Sequence, residues 1–261
     1  MMRPVWAYRH FILLAIRNDL FDQFARSRFG ALWALLGPLA MVAIYAFVLS
    51  NVLAAKLPGV TGVYGYAVYL MAGLLAWNLF NDTVTRVMTV FPGYGAVLKK
   101  ARIPKIALPV VAAGSAMVNN LFLFLAIMFI LVLVGHGWNP ALAFVPLMMC
   151  AVMLLGVGLG LVLGVLNVFV RDIGQAVPIV LQLWFWLTPI VYPVSIVPER
   201  FRHLFELNPV YPLVTMYQDI FLHGAVAVDI RLGLVLLGGL LLLGLGTFML
   251  ARAGEEMVDV L

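Results

Sequence analysis

The chain has 261 residues, 65% of them hydrophobic and 10% charged, with a formal net charge of +5. A soluble domain carries about 25% charged residues, so water is not its main solvent and a soluble enzyme or binding module is excluded. The basic residues cluster at particular loops, a pattern of membrane orientation that excludes a phosphate-binding face for nucleic acid.

Residues 4–28 read as an amphipathic helix on a membrane surface, with Leu13, Ile16, Leu20 and Phe24 on one face and Asp19, Asp22 and Arg26 on the other. The apolar stretch 11–16 is too short for a signal-peptide core, so the mature chain is expected to start at Met1. Windows of about 20 residues then give six spans, at 30–54, 65–90, 108–135, 141–166, 174–192 and 229–252.

Between spans 2 and 3 lies a basic connector, 93–107, opened by the turn Pro92-Gly93-Tyr94-Gly95 and broken by Pro104 and Pro109. Between spans 5 and 6, Pro193, Pro198, Pro209 and Pro212 cut 193–228 into pieces too short to span but too apolar for a free loop. Short helices dipping into the outer leaflet, or capping a pore, fit this pattern. Twelve of the 16 basic residues fall on the side of the N-terminal segment and the connector, which puts both termini in the cytoplasm. The expectation is a single all-α membrane domain over 1–261.

Polar residues in lipid need a partner or a watered path. Span 2 carries Asn78, Asn81, Asp82, Thr83 and Thr85 among Tyr66, Tyr69, Trp77 and Phe80; span 5 carries Gln182, Trp184, Trp186, Thr188 and Tyr192. Two readings stand. The residues sit at the headgroups or bridge helices, or they wall a path for a sugar polymer, with rings on C–H faces and polar groups on hydroxyls. Gly156, Gly158, Gly160 and Gly164 in span 4 read as close helix packing.

The chain has no phosphate-binding glycine loop ending in Lys-Ser/Thr. No His, Cys or carboxylate group has metal spacing; His10, His136, His203 and His223 are scattered, and Cys150 is the single cysteine. Catalytic residues, a metal and a bound cofactor are therefore not expected here, and any energy source lies on another polypeptide.

Several stretches together resemble the transmembrane subunit of ABC-2-type polysaccharide exporters, the O-antigen permease group with its capsule and teichoic-acid relatives. They are Arg26-Ser27-Arg28-Phe29-Gly30-Ala31-Leu32-Trp33 with Pro38, Leu98-Lys99-Lys100 through Ile103-Pro104, and Leu166-Asn167-Val168-Phe169-Val170-Arg171-Asp172-Ile173. Trp184-Phe185-Trp186-Leu187-Thr188-Pro189-Ile190-Val191-Tyr192 and Asn208-Pro209-Val210-Tyr211-Pro212 complete them, nearly end to end.

The resemblance implies the ABC-2, or type V, exporter fold: a homodimer in the bacterial inner membrane, bound to two copies of a separate ATP-binding subunit that holds ATP and Mg. It implies a polysaccharide on a polyprenyl diphosphate carrier as substrate, O antigen first and a teichoic acid or capsule second. It also implies that the fifth-span aromatics Trp184, Trp186 and Tyr192 line the path, to which the polar reading of span 2 adds Tyr69, Trp77, Phe80 and Asn81 as channel-wall candidates, and that outer gate helices lie within 193–228. ATPase coupling falls at Leu98, Lys99, Lys100, Arg102, Ile103 and Pro104, carrier contact at Arg26 and Arg28, and a loop motif at Asn167, Arg171 and Asp172. Rival readings are a small-molecule drug exporter of the same plan, a membrane glycan ligase using Glu199, Glu206 or Asp219, and a structural membrane partner with no substrate.

Overall fold

A computed structural model describes residues 8–25, 65–100, 104–133, 139–226 and 229–260, with positions 6, 36 and 40. The first expected span, 30–54, and the side chains of Arg26, Arg28, Lys100, Arg102 and Ile103 lie outside the described residues. The described elements are helical: α1 Arg9–Ala25, α2 Gly65–Gly93, α3 Gly95–Lys100, α4 Ala107–Leu133, α5 Val145–Phe169, α6 Asp172–Trp186, α7 Glu199–Glu206, α8 Tyr211–His223 and α9 Ile230–Val260. Short 3-10 turns cover Pro140–Phe144 and Val194–Ile196.

Among the described residues three segments are long and apolar enough to cross a membrane: Ala107–Val132, Pro140–Phe169 and Ile230–Gly254. Helix α4 turns Leu121, Phe122, Leu125, Phe129 and Val132 outward, and α9 turns out Leu234, Leu237, Leu241, Leu245 and Phe248. Such stripes, exposed at helical spacing in a chain this apolar, suit lipid contact.

Helix α5 is the hub, and its glycines explain why. A Cβ on Gly164 would lie 2.9 Å from the carbonyl oxygen of Val87, and one on Gly158 would lie 2.8 Å from that of Gly239. Backbone therefore meets backbone on two sides, α2 on one and α9 on the other, the close approach that small residues permit where lipid supplies no hydrophobic drive. Helix α8, though short, is a core element. Leu213, Val214, Tyr217, Ile220 and Phe221 are buried, and the Tyr217 hydroxyl is buried without a hydrogen-bond partner.

Helix α8 ends at Gly224, whose φ of 65° is the left-handed conformation that glycine adopts without strain. Beside it, the Asn139 amide donates to Ile220 O at 2.9 Å and its Oδ1 accepts from Ala141 N at 2.9 Å, joining the end of α8 to the start of the α5 segment. On the other side of the molecule, Leu98 of α3 packs with Phe91, Leu108, Leu250 and Met257. Lys105 Nζ donates to Gly254 O there, so the connector is tied to the end of α9.

Two boundaries and one docked face differ from the sequence expectation. The fifth apolar run, expected over 174–192, is helical only over Asp172–Trp186, because Pro189 has no N–H to offer Phe185 and disfavours helix at Thr188. The last helix, expected over 229–252, runs on to Val260, with Met257 buried beneath the connector. Helix α1 docks through Ile12, buried with Ala107 and Val111, while Leu13 is 64% exposed. The chain is apolar on more than one side there, so periodicity alone did not select the docked face.

The glycines give a sign test. Gly164→Ala forces two helices apart and overpacks at a cost of about 1–3 kcal/mol. Gly244→Ala meets no atom within 4 Å and gains up to about 1 kcal/mol of helix propensity. Thermal unfolding in detergent is expected to shift down for the first and up or not at all for the second; a fall for both would refute the close-approach account.

Candidate functional site

Between Val68 and Phe91 every residue of α2 is buried except Asn78, Asn81, Asp82, Thr85, Arg86 and Thr89. Their spacing of 3, 4, 7, 8 and 11 positions from Asn78 marks one face of a helix. The apolar surface of α2 is thus spent inside the protein, and its one open face is polar throughout. In hydrocarbon that face has to meet protein or water.

Opposite it stands α6. Trp77, Asn78, Asn81 and Thr85 of α2 and Pro178, Gln182, Phe185 and Trp186 of α6 line a cleft of about 450 Å³. The side-chain amides of Asn78, Asn81 and Gln182 make no hydrogen bond among the described residues. Behind them rings bridge the two helices: Trp77 meets Phe185 edge-on at 5.6 Å, Phe80 meets Trp184 at 5.4 Å, and Phe185 meets Trp186 at 5.4 Å. Open amides beside an exposed indole offer hydrogen bonds and a flat face together.

The backbone that leaves α6 is irregular, and side chains satisfy it. The Tyr69 hydroxyl lies 3.0 Å from both Pro189 O and Tyr192 O, Tyr66 donates to Val191 O, and Gln218 Nε2 donates to Pro189 O at 3.2 Å. Asn208 accepts from Trp184 Nε1 at 2.9 Å and donates to Thr188 Oγ1 at 2.9 Å. Non-helical backbone at membrane depth survives only when satisfied by protein in this way. The end of α6 is thereby pinned to α2 and α8. Beyond it an apolar groove of about 840 Å³ runs under α7, lined by Trp184, Tyr192, Phe201 and Phe205 among others.

The residues expected to wall a channel divide by burial. Asn81 and Trp186 open onto the cleft, with Trp186 48% exposed. Trp77 is 5% exposed and forms the cleft's back wall. Phe80 is fully buried and is not among the residues lining this cleft; its ring packs against Trp184 behind the wall. Tyr69 is 7% exposed, with its hydroxyl committed to backbone, and borders a different, polar cavity of about 490 Å³ beside Asp219 and Arg231. Trp184 and Trp186 do not act together: two residues apart on a helix they point away from each other, one to Asn208 and one to the cleft. Tyr192 lies past the end of α6 and donates to Trp186 O at 2.6 Å.

Elsewhere, Asn167 is buried and its amide lies 3.4 Å from Met88 O, while Arg171 and Asp172 are exposed at the start of α6. An acidic residue in a first helical turn suits the helix dipole. Leu98 is buried, Lys99 exposed and Pro104 half-buried. Asn78, Thr85 and Gln182, named in the sequence among the polar residues of spans 2 and 5, line the cleft, whereas Asn208, met in the sequence only within the motif Asn208-Pro209-Val210-Tyr211-Pro212, holds Trp184 instead.

The model of the family described as ABC-2 type transporter matches residues 9–222. The chain is 28% identical over 218 residues to the O-antigen export system permease protein RfbA of Klebsiella pneumoniae, covering 82% of this chain and 81% of that one. It is 26% identical over 227 residues to the RfbA permease of Myxococcus xanthus, covering 85% and 84%. It is 20% identical over 243 residues to the polysialic acid transport protein KpsM of Escherichia coli, covering 92% of each chain. An all-helical chain with lipid-length apolar helices, a polar-faced helix among them and this match over most of its length belongs to the ABC-2 type transporter family.

Proposed function

We propose that this chain is the channel-forming permease subunit of an ATP-driven exporter that moves a polyprenyl-diphosphate-linked polysaccharide, O antigen in the first instance, across the bacterial inner membrane. The observation that carries the reading is the uniformly polar open face of α2 beside the exposed Trp186. A path for a lipophilic drug needs no row of uncommitted amides, whereas a hydrated sugar chain needs both amides and rings. The names of the relatives, for O-antigen export and for polysialic acid transport, agree in substrate class.

In this reading the chain makes six spans, α2, α4, α5, the α6 segment and α9 joined by 30–54, with both termini in the cytoplasm. One copy supplies only part of a wall. Ile179, Leu183, Trp186 and Leu187 leave an exposed stripe on α6, and a second copy apposed there closes a channel between the two clefts. The substrate polymer advances along Asn78, Asn81, Thr85, Gln182 and Trp186. Helix α7 and the groove beneath it act as the outer gate. Arg26 and Arg28 meet the carrier diphosphate, for which guanidinium geometry is suited.

Energy comes from two copies of a separate ATP-binding subunit, which hold ATP and Mg and press on α1 and on the connector from Leu98 to Pro104. The chain itself makes and breaks no bonds. It alternates between states that hold the polymer differently, and ATP binding on the partner selects between them.

Purification of the tagged chain from its own membranes is expected to bring an ATPase subunit at one-to-one stoichiometry, with vanadate-sensitive hydrolysis. A chain that purifies alone, from a strain whose surface glycan survives its deletion, defeats the reading. The paired change Asn78→Leu and Asn81→Leu is expected to cut surface polysaccharide at least tenfold while the complex still assembles. Trp186→Ala should behave the same way, whereas Trp184→Ala, which strips Asn208 of its donor, should lower the amount of folded protein. Equal behaviour of the two tryptophan variants would show that the division between wall and packing residue is wrong.

A further inference from the structure

Helix α1 touches the rest of the protein along a narrow line. Ile12 is buried with Ala107 and Val111 of α4, Ile16 packs against Gly114, and one turn further Asp19 Oδ2 reaches Arg86 Nη1 of α2 at 3.1 Å. Positions 12, 16 and 19 share a face. Within α2, Arg86 Nε is held at 2.7 Å by Asp82 Oδ1, one turn back. The two carboxylates thus take different edges of one guanidinium, and the pairing inside α2 fixes that fork in the direction of α1.

Isolated exposed ion pairs contribute little, because two long side chains must be ordered for one contact. Here Asp82 has already ordered the arginine, and the guanidinium is only 24% exposed. Asp82 and Arg86 also interleave with Asn81 and Thr85, which line the cleft. The grip on α1 therefore falls on the same turns of α2 that form the wall. Asp19 and Asp22 also act on Tyr94, at the turn into α3, whose phenol is raised above its ordinary value by burial first and by these two carboxylates next. Leu13, Leu14 and Phe21 remain exposed on α1, away from this line.

We propose that Arg86 is a positioning residue that locks α1 to the polar face of α2, so that a push on α1 moves the cleft wall with it as one body. The inference rests on the exporter reading, in which α1 receives the partner's motion, and adds where that motion goes. Without the lock, α1 would rock on the Ile12–Val111 contact and the wall would stay still.

The test uses the complex of the full chain with its ATPase, and the polysaccharide on cells that depend on it. Asp19→Asn and Arg86→Gln are each expected to keep ATP hydrolysis within about twofold while export per ATP falls about tenfold or more. In a Cys150→Ser background, Asp19→Cys with Arg86→Cys is expected to show the same loss until a short bifunctional maleimide joins the two positions, and then to recover export. Normal export per ATP in Arg86→Gln overturns the proposal. So does a parallel fall of complex, hydrolysis and export that the cross-link does not mend, since that is the signature of a merely structural pair. So too does a cross-link that leaves export low in an assembled complex, because α1 would then have to move against α2. If the exporter reading itself is wrong, no ATPase co-purifies and the Asn78 and Asn81 changes leave the glycan untouched. Failure of the lock alone leaves both of those results in place.

Discussion

The polar open face of α2 constrains everything around it. A helix of 29 residues is about 44 Å long at 1.5 Å per residue, longer than the hydrocarbon is thick, and this one carries two amides, two hydroxyls and an ion pair along one side. Its other sides are covered by α4, α5 and α8, whose contacts leave no apolar residue of α2 open between Val68 and Phe91. Lipid-facing helices such as α4 and α9 are built the other way round, with apolar stripes outward. The inversion separates a helix whose open face is polar from helices whose open faces are apolar.

Holding such a helix in place explains two features that are otherwise unrelated. The glycines of α5 bring its backbone against that of α2 at Gly164, so the cleft's wall stands on a contact with almost no compressible side chain between. The broken chain after Trp186 is fastened to α2 by Tyr66 and Tyr69 and to α8 by Gln218. Both walls of the cleft are therefore referenced to the same helix. Motion that changes its width has to act on whole helices, since Tyr66, Tyr69 and Gln218 are already committed to the backbone that leaves α6.

Much of this plan was legible in the sequence, and what was not has physical reasons. Long apolar runs announce α4, α5 and α9 because hydrocarbon thickness sets a length that composition alone reveals. Proline spacing announced the pieces after residue 193, yet it gave no hint that α8 would be core and α7 surface, since burial depends on what stands opposite. In α6 the run Trp184-Phe185-Trp186-Leu187 reads as continuous hydrophobicity, and hydropathy does not register that Pro189 ends the hydrogen-bond ladder. Trp184 and Trp186 were grouped by composition, whereas helical angle sends one toward Asn208 and the other toward the cleft. For α1, the selection between Ile12 and Leu13 as the docked side required the partner surface on α4, which no single helix encodes.

The two ends of the molecule are built for different duties. On the connector side, Leu98, Phe91, Leu250 and Met257 form a continuous apolar joint, closed by Lys105 against the last turn of α9. A force applied to α3 is thus spread into α2 and α9 together, and through the glycine contacts into α5. At the other end, α7 has no buried residue and is held by the contact of Phe205 with Tyr192 at 6.3 Å, by the reach of Arg202 to Val197 O and Ser195 O, and by the half-exposed pair of Glu206 with Arg231 of α9 at 3.1 Å. Few buried contacts mean a low free energy of local opening. A body stiff where the connector joins it and loosely packed at α7 passes displacement along the helices and lets it appear at α7.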